Sequence, residues 1–515
     1  QKEGCPISDT PYIFGYFLII TLLIIFLPAS TAHAKTLSGK CGKQARWVYN
    51  TKTKNLTIKG KGCIDKKILI KDPASKRTSF ETNVIKIHKG ITDISSNQPF
   101  SKVVCRDSVW LPKTIKKLRT GSLCFASSYL SAVILPKNIK KIETGAFFSP
   151  DGFSRVYLDS KNKYYCVKEH VLYTKNKKEL VYYPSSKQNT TFRIPKSVTI
   201  IRPLAFAGNL SLKKVILPKK IKKIGGGAFF YCKNLSYINL KSDTKIKSLP
   251  DYDATKNDLL HSYDDSAEDV SKTTSKKESH YYHYGVFEYT ALKSIVIPDS
   301  ITTLPPDTFN MNQTYAKHPN DGPGIPEDGV QIPAPIQSIT IGKNFTGEIN
   351  SDDLSYSSNS LVLYPILIKK IIVNKANPKY CSTDNTLFSK DMTTLYQIAA
   401  DNQTCDYIVP QNVKRIAHGA FMRHTLMTQE YFNVTINHDM ESIGDAAFYK
   451  SDIGSITINS HIKRIGKYAF SQTQLYEFIC NGTIDSLESH ALPYKKILTK
   501  LVLPDSFRLD PSVFS

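Results

Sequence analysis

One string constrains this chain more than any other. From Leu217 to Phe229 it reads Leu-Pro-Lys-Lys-Ile-Lys-Lys-Ile-Gly-Gly-Gly-Ala-Phe. With Leu217 as position zero, Pro218 stands at one, Ile221 at four, Ile224 at seven, Ala228 at eleven and Phe229 at twelve. The same frame runs from Leu135 to Phe147, Ile194 to Phe206, Ile297 to Phe309 and Val409 to Phe421. Ile436 and Ile458 keep the offsets to Phe448 and Phe470 but are followed by Asn437 and Asn459 instead of Pro. Leu111 has Leu123 in the Phe slot, weaker copies start at Ile87, Ile341 and Cys480, and a last copy starts at Leu503, one residue short. Leu111 to Leu135 is 24 residues, Ile194 to Leu217 is 23, and Ile436 to Ile458 and Ile458 to Cys480 are 22 each. Self-similarity at so short a period marks a solenoid, because one unit cannot bury its own apolar face and must stack on its neighbours.

Each unit has a physical reading. Apolar residues alternate into the anchor, as in Val133 and Leu135 or Ile456 and Ile458, and predict a short half-buried strand. Pro after the strand lacks an N–H and stops the ladder. Positions four and seven form a second apolar ledge. A small residue then turns the chain, and Ala-Phe plugs the coil interior. Phe147, Phe206, Phe229, Phe309, Phe421, Phe448 and Phe470 should therefore form a stacked spine, spaced by about 5 Å.

These strings resemble the leucine-rich repeats of the BspA type, over most of the chain from about Cys41 onward. The resemblance implies a leucine-rich repeat solenoid, β-rich, with short strands, irregular, 3-10 or short helical returns, and right-handed stacked coils. Ser38-Gly-Lys-Cys41-Gly42, with Trp47 and Leu56-Thr-Ile58, resembles the opening of such proteins. Tyr165 to Tyr183-Pro184 resembles their longer hairpin-like unit, and Tyr380 to Pro410 looks like a second copy. The organisation read from these signals is 1–34 signal peptide, 35–82 N-terminal cap, 83–240 first half of the solenoid with its long unit at 160–195, 241–290 polar insertion, 291–309 repeat, 310–337 Pro- and Gly-rich insertion, and 338–515 second half with its long unit at 378–410. The resemblance also implies a secreted or cell-surface protein in adhesion to host matrix proteins or other cells. A structural spacer in a larger surface protein is the alternative, and a secreted enzyme is a third, weaker one.

Residues 12–27 are uncharged and apolar, and Ala32-His33-Ala34 follows as an A-x-A cleavage site. This predicts a signal peptide cut before Lys35 and no membrane span thereafter. A membrane anchor is the rival, but the run is short against the ~20 residues needed to span. Of 10 cysteines, Cys5 precedes the apolar run. Cys41 and Cys63 could bridge the cap, and Cys381 and Cys405 the second long unit, which secretion permits. Cys124, Cys232 and Cys480 occupy repeat positions that want a small apolar residue. No C-x-x-C pair supports zinc. Ser242–Tyr284, with Ser279-His280-Tyr-Tyr-His283-Tyr284, reads as a solvated loop between repeats, with an aromatic or metal-binding role for the His pair as the sharper alternative.

No G-x-S-x-G, H-E-x-x-H, P-loop or dinucleotide fingerprint is present, no catalytic set and no cofactor is expected, and His418 is expected to face solvent. The distinctive chemistry is basic. The formal net charge is +25, from 69 Lys+Arg against 44 Asp+Glu. Positions five and six carry Lys116-Lys117, Lys140-Lys141, Lys222-Lys223, Lys414-Arg415 and Lys463-Arg464. Stacked coils would align these pairs about 5 Å apart. An anionic polymer along the axis would relieve their repulsion and release its counterions. Acidic polysaccharides are then the candidate partners, beside host or cell-surface proteins. Solubility alone is the bland explanation, and Thr302-Thr303, Glu441-Ser442 and Asp485-Ser486 interrupt the series. Nucleic acid is not expected, since no stacking platform for bases is evident. Some of the 29 tyrosines should line exposed faces, without the sequence saying which.

Overall fold

A computed structural model of the chain describes residues 35–70, 80–125, 132–148, 152–253, 283–309, 336–350, 368–426 and 431–515. The expected signal peptide, Cys5, His280 and most of both insertions lie outside these residues.

The described chain is a β-solenoid of about 15 turns with almost no helix. The strand before each anchor pairs in parallel with that of the next unit. One such row runs Ile85–Val109–Val133–Val156, and another Tyr407–Val434–Ile456–Phe478–Leu501. The ledge at position seven forms a second row, for example Leu180–Ile201–Ile224 and Leu395–Ile416–Ile443–Ile465–Leu487. Alternation along each strand sends one residue into the coil and the next to solvent, which is why Ile456 and Ile458 are buried and Thr457 is not.

The residue after the anchor decides how the strand ends. In the Pro units the N–H of position four donates to the proline carbonyl: Ile139 to Pro136, Ile221 to Pro218, Val413 to Pro410. Where Asn replaces Pro the ladder goes one residue further, with Asn459 N–H donating to the Ile436 carbonyl at 2.8 Å and Asn481 N–H to that of Ile458 at 2.8 Å. The side chains add an amide ladder of their own, Asn481 to Asn459 and Asn459 to Asn437, each at 2.8 Å.

All seven expected core phenylalanines are buried. Phe206 and Phe229 stack with centroids 4.8 Å apart, Phe421 and Phe448 at 4.5 Å, and Phe448 and Phe470 at 5.0 Å. Phe287 fills the step between Phe229 (5.5 Å) and Phe309 (5.4 Å). In the first coils Phe100 and Phe125 make the stack, at 5.3 Å, while Leu123 packs beside them.

The spine is not one continuous column. The two long units are antiparallel meanders, Tyr165–Lys168, Val171–Thr174 and Glu179–Tyr182, then Tyr380–Thr383, Thr386–Ser389 and Thr394–Ile398. Their alternate residues serve different cores. Leu172 and Tyr182 pack toward the N-terminal coils, while Tyr173 and Tyr183 pack toward the central ones. Leu387 likewise faces the central core and Phe388 the C-terminal one. The meanders thus divide the interior into three segments.

Buried asparagines tie coils together. Asn162 donates to the Lys137 and Ile139 carbonyls and accepts from the N–H groups of Tyr164 and Tyr165. Asn377 does the same with Gly342, Phe345, Lys379 and Tyr380. Each amide is satisfied on both sides, as burial requires.

The N-terminal end is closed by Thr36–Lys40, antiparallel to Gln44–Asn50, which is in turn antiparallel to Asn55–Ile64, whose Leu56 then pairs in parallel with Ile85. Trp47, 8% exposed, lies against Gly39, where a Cβ would come within 2.6 Å of the indole. The polar insertion is not placed between repeats. Ile246, Leu249, Val286 and Phe287 are buried in one coil, and the chain leaves and returns through an antiparallel pair, Tyr252 opposite Tyr284 and Asp253 opposite His283.

Candidate binding surface

The basic pairs lie on the second strand row. Lys117 and Lys141 are register neighbours, and Lys140 N–H donates to the Lys116 carbonyl at 2.7 Å. The next two coils bring Lys178-Glu179 and Thr199-Ile200, and only then Lys222-Lys223. Lys414-Arg415 and Lys463-Arg464 are separated by the Glu441-Ser442 coil. The structure therefore groups Lys116, Lys117, Lys140 and Lys141, and leaves the other pairs apart.

Acids neutralise much of position six. Glu143 reaches Lys117 at 2.7 Å and Lys141 at 3.5 Å. Burial alone would raise its carboxyl, but the hydrogen bonds from Lys117, the Thr120 N–H and Lys141 outweigh that and hold it below the usual carboxylate range. Arg415 pairs with Glu441 at 2.9 Å. Arg464 bridges Asp445 at 2.5 Å and Glu488 at 3.2 Å. Position five keeps its charge outward: Lys116, Lys140, Lys222, Lys414 and Lys463 are exposed, as is Lys223 at position six, with no ion pair recorded among the described residues. Exposed Lys178 joins them, hidden from a repeat count because it sits in a meander. Glu143 is equally hidden, because it lies two residues beyond Lys141 and reaches Lys117 only across the stacked coils.

The first strand row shows a surface that the repeat count also missed. Its outward column runs Thr57–Lys86–Trp110–Ile134–Tyr157 in register. Trp110 is 49% exposed and Tyr157 42%. The signal was present as an aromatic at the outward position of two units, but nothing in the spacing separates it from an ordinary surface tyrosine.

Other expectations change. His418 is fully buried, not solvent-facing, and burial lowers its pKa to about 4. Cys41, Cys63, Cys381 and Cys405 are all free thiols, so neither expected bridge is formed here. Burial raises the Cys41 thiol to about 12, and Cys381 places its sulfur 3.1 Å from the Ser389 carbonyl within the meander. Cys124, Cys232 and Cys480 are buried among apolar side chains. Among the described residues no group of three or more His, Cys, Asp and Glu is placed to hold a metal, and no helix is long and apolar enough to cross a membrane. Tyr284 is no loop tip: it stacks on Phe230 at 4.2 Å. A small concavity beside Phe148, Tyr182 and Arg202 has a cavity volume of about 30 Å³, room for a few water molecules and no larger ligand.

Parallel strand rows whose turns are repeatedly closed by a buried phenylalanine, most often after Ala, define a leucine-rich repeat solenoid. The chain belongs to the family of the BspA type leucine rich repeat region, which matches residues 70–189, 178–316 and 384–515 in 6 copies. No curated protein matches the sequence. Among solved structures the chain is similar to a leucine-rich repeat protein from Eubacterium ventriosum, at 14% identity over 93% of this chain and 99% of that one, TM-score 0.30. It is similar to a leucine rich cell surface protein from Faecalibacterium prausnitzii, at 18% identity over 66% and 95%, TM-score 0.33. It is also similar to the pneumococcal vaccine antigen PcpA, at 13% identity over 94% and 91%, TM-score 0.32.

Proposed function

We propose that this is a surface-presented binding protein that holds an extended partner, in adhesion, along the outward faces of its strand rows. The observation that carries the reading is the register of unspent side chains. Equivalent positions of stacked coils place exposed lysines on one row and, two strands apart, the exposed Trp110 and Tyr157 on the other, with spacing fixed by the backbone ladder. Repeat arrays use such extended faces for binding. Membership of the BspA type, and the apolar leader ending in Ala32-His33-Ala34, support presentation outside the cell.

The test is retention of host matrix proteins and acidic glycans on the immobilised chain, over a salt titration. Binding at low salt that falls steeply as salt rises is the expected result. Retention of nothing at low salt sinks the proposal and leaves a structural spacer.

A further inference from the structure

The column Lys86–Trp110–Ile134–Tyr157 has a shape that narrows its ligand. The Trp110 Nε1–H donates to Ser108 Oγ at 3.0 Å, two residues back on the same strand. That tether draws the indole back along its strand towards Ser108, and the side chain is still 49% exposed. The adjacent column is low: Ser108 and Ala132 are small and buried, so the rings border a shallow trough. The trough ends at Arg155, exposed and in register with Ala132. Lys86, also exposed, adjoins Trp110 on the other side. Neither cation has an ion pair recorded among the described residues, whereas nearby Arg106 is taken by Glu81 at 2.7 Å. Tyr157 is steadied by His170, ring to ring at 5.0 Å.

We propose that this strip is a subsite for a linear, uronic-acid-bearing polysaccharide. The inference rests on the surface-binding reading and names its ligand class. Trp110 and Tyr157 lie two strands apart, roughly 10 Å. An extended β-linked chain advances by about one strand spacing per sugar, so successive rings fall over Trp110, Ile134 and Tyr157. The apolar faces of the outer two rest on the aromatic side chains, and Lys86 and Arg155 meet carboxylates at the two ends. The strip is shallow and one side chain wide, and its cations are at its ends. A protein hot spot would instead centre on a deep, desolvated pocket.

The chain holds its own reporter. It has 2 tryptophans, and Trp47 is 8% exposed, so quenching of tryptophan emission by acrylamide reports Trp110. A hyaluronan octasaccharide should shield that emission in the full chain, and a neutral β-1,4-glucose oligomer of similar length should do so only at higher concentration. Tyr157→Ala, or Lys86→Ala with Arg155→Ala, should weaken the hyaluronan response about tenfold, the effect of losing roughly 1.4 kcal/mol of contact. These are surface changes, and an unchanged circular dichroism spectrum confirms the fold. Emission that hyaluronan leaves unshielded, or shields equally in the variants, overturns the proposal. So does shielding by a matrix protein and not by hyaluronan, which makes the strip a protein-docking site. If the immobilised chain retains partners while Trp110 stays unshielded, the surface-binding reading stands and only this inference falls. If it retains nothing, both fall.

Discussion

At the residue scale the sharpest consequence concerns histidine. His418 and His424 are both buried, and burial lowers each pKa to about 4, opposed by Asp445 for His418 and by a backbone hydrogen bond for His424. In the unfolded chain both titrate near 6.5. Between those values the unfolded chain binds protons that the folded one refuses, so stability is full above about pH 7 and falls as pH drops from 6.5 towards 4. The loss is up to about 3 kcal/mol per histidine at the acid end. Urea midpoints from pH 7.5 to 4.5 should show this, and His418→Gln with His424→Gln should flatten the slope even if it lowers the plateau. A slope unchanged in the double variant would contradict the assignment. His418 also shows where sequence stops short. The turn Ile-Ala-His-Gly-Ala-Phe has a polar residue at a slot that reads as exposed. Only the neighbouring coil, whose Asp445 carbonyl accepts from the Gly419 N–H, shows that the slot is covered.

At the scale of the element, the choice between Pro and Asn after the anchor sets strand length. Asn459→Ala should cost roughly 1 kcal/mol, because it deletes two exposed amide bonds and spares the backbone bond to Ile436. Asn459→Pro should cost more, about 2–3 kcal/mol, since the donor N–H is also removed from a strand paired on both sides. Hydrogen exchange of the Ile453–Ile458 strand reads both, and equal protection in the two variants would refute the difference. The strands, the Pro stops and the seven phenylalanines were legible because each follows from a local pattern repeated in one phase. Phe287 was not, because the inserted chain moves it far from its anchor Leu240. Nor was the pairing of Glu143 with two lysines, which depends on how adjacent coils overlap. The Lys116–Lys141 group could be found by counting, but its partial neutralisation could not.

At the scale of the whole molecule, the meanders matter most. A solenoid's stability is close to a sum of coil and interface terms. Three apolar segments divided at Val171–Tyr182 and Leu387–Ile398 should not melt as one. Phe448→Ala, which removes a ring stacked on both sides, should cost about 3–5 kcal/mol. That loss should appear as lower exchange protection from Val409 to Cys480, with Leu56 to Val156 unaffected. Uniform loss along the chain would show that the partitions do not isolate their cores.

The paired dipeptides Tyr252-Asp253 and Tyr284-His283 have a consequence of another kind. They bring the two ends of residues 254–282 side by side before that stretch begins, and Tyr284 is clamped on Phe230 beneath them. Whatever is spliced between them is therefore held at its roots, and lengthening it twofold costs only about 0.6 kcal/mol in closure. That makes this point a socket: the length of chain inserted between Asp253 and His283 can change while the coils on either side keep their pairing.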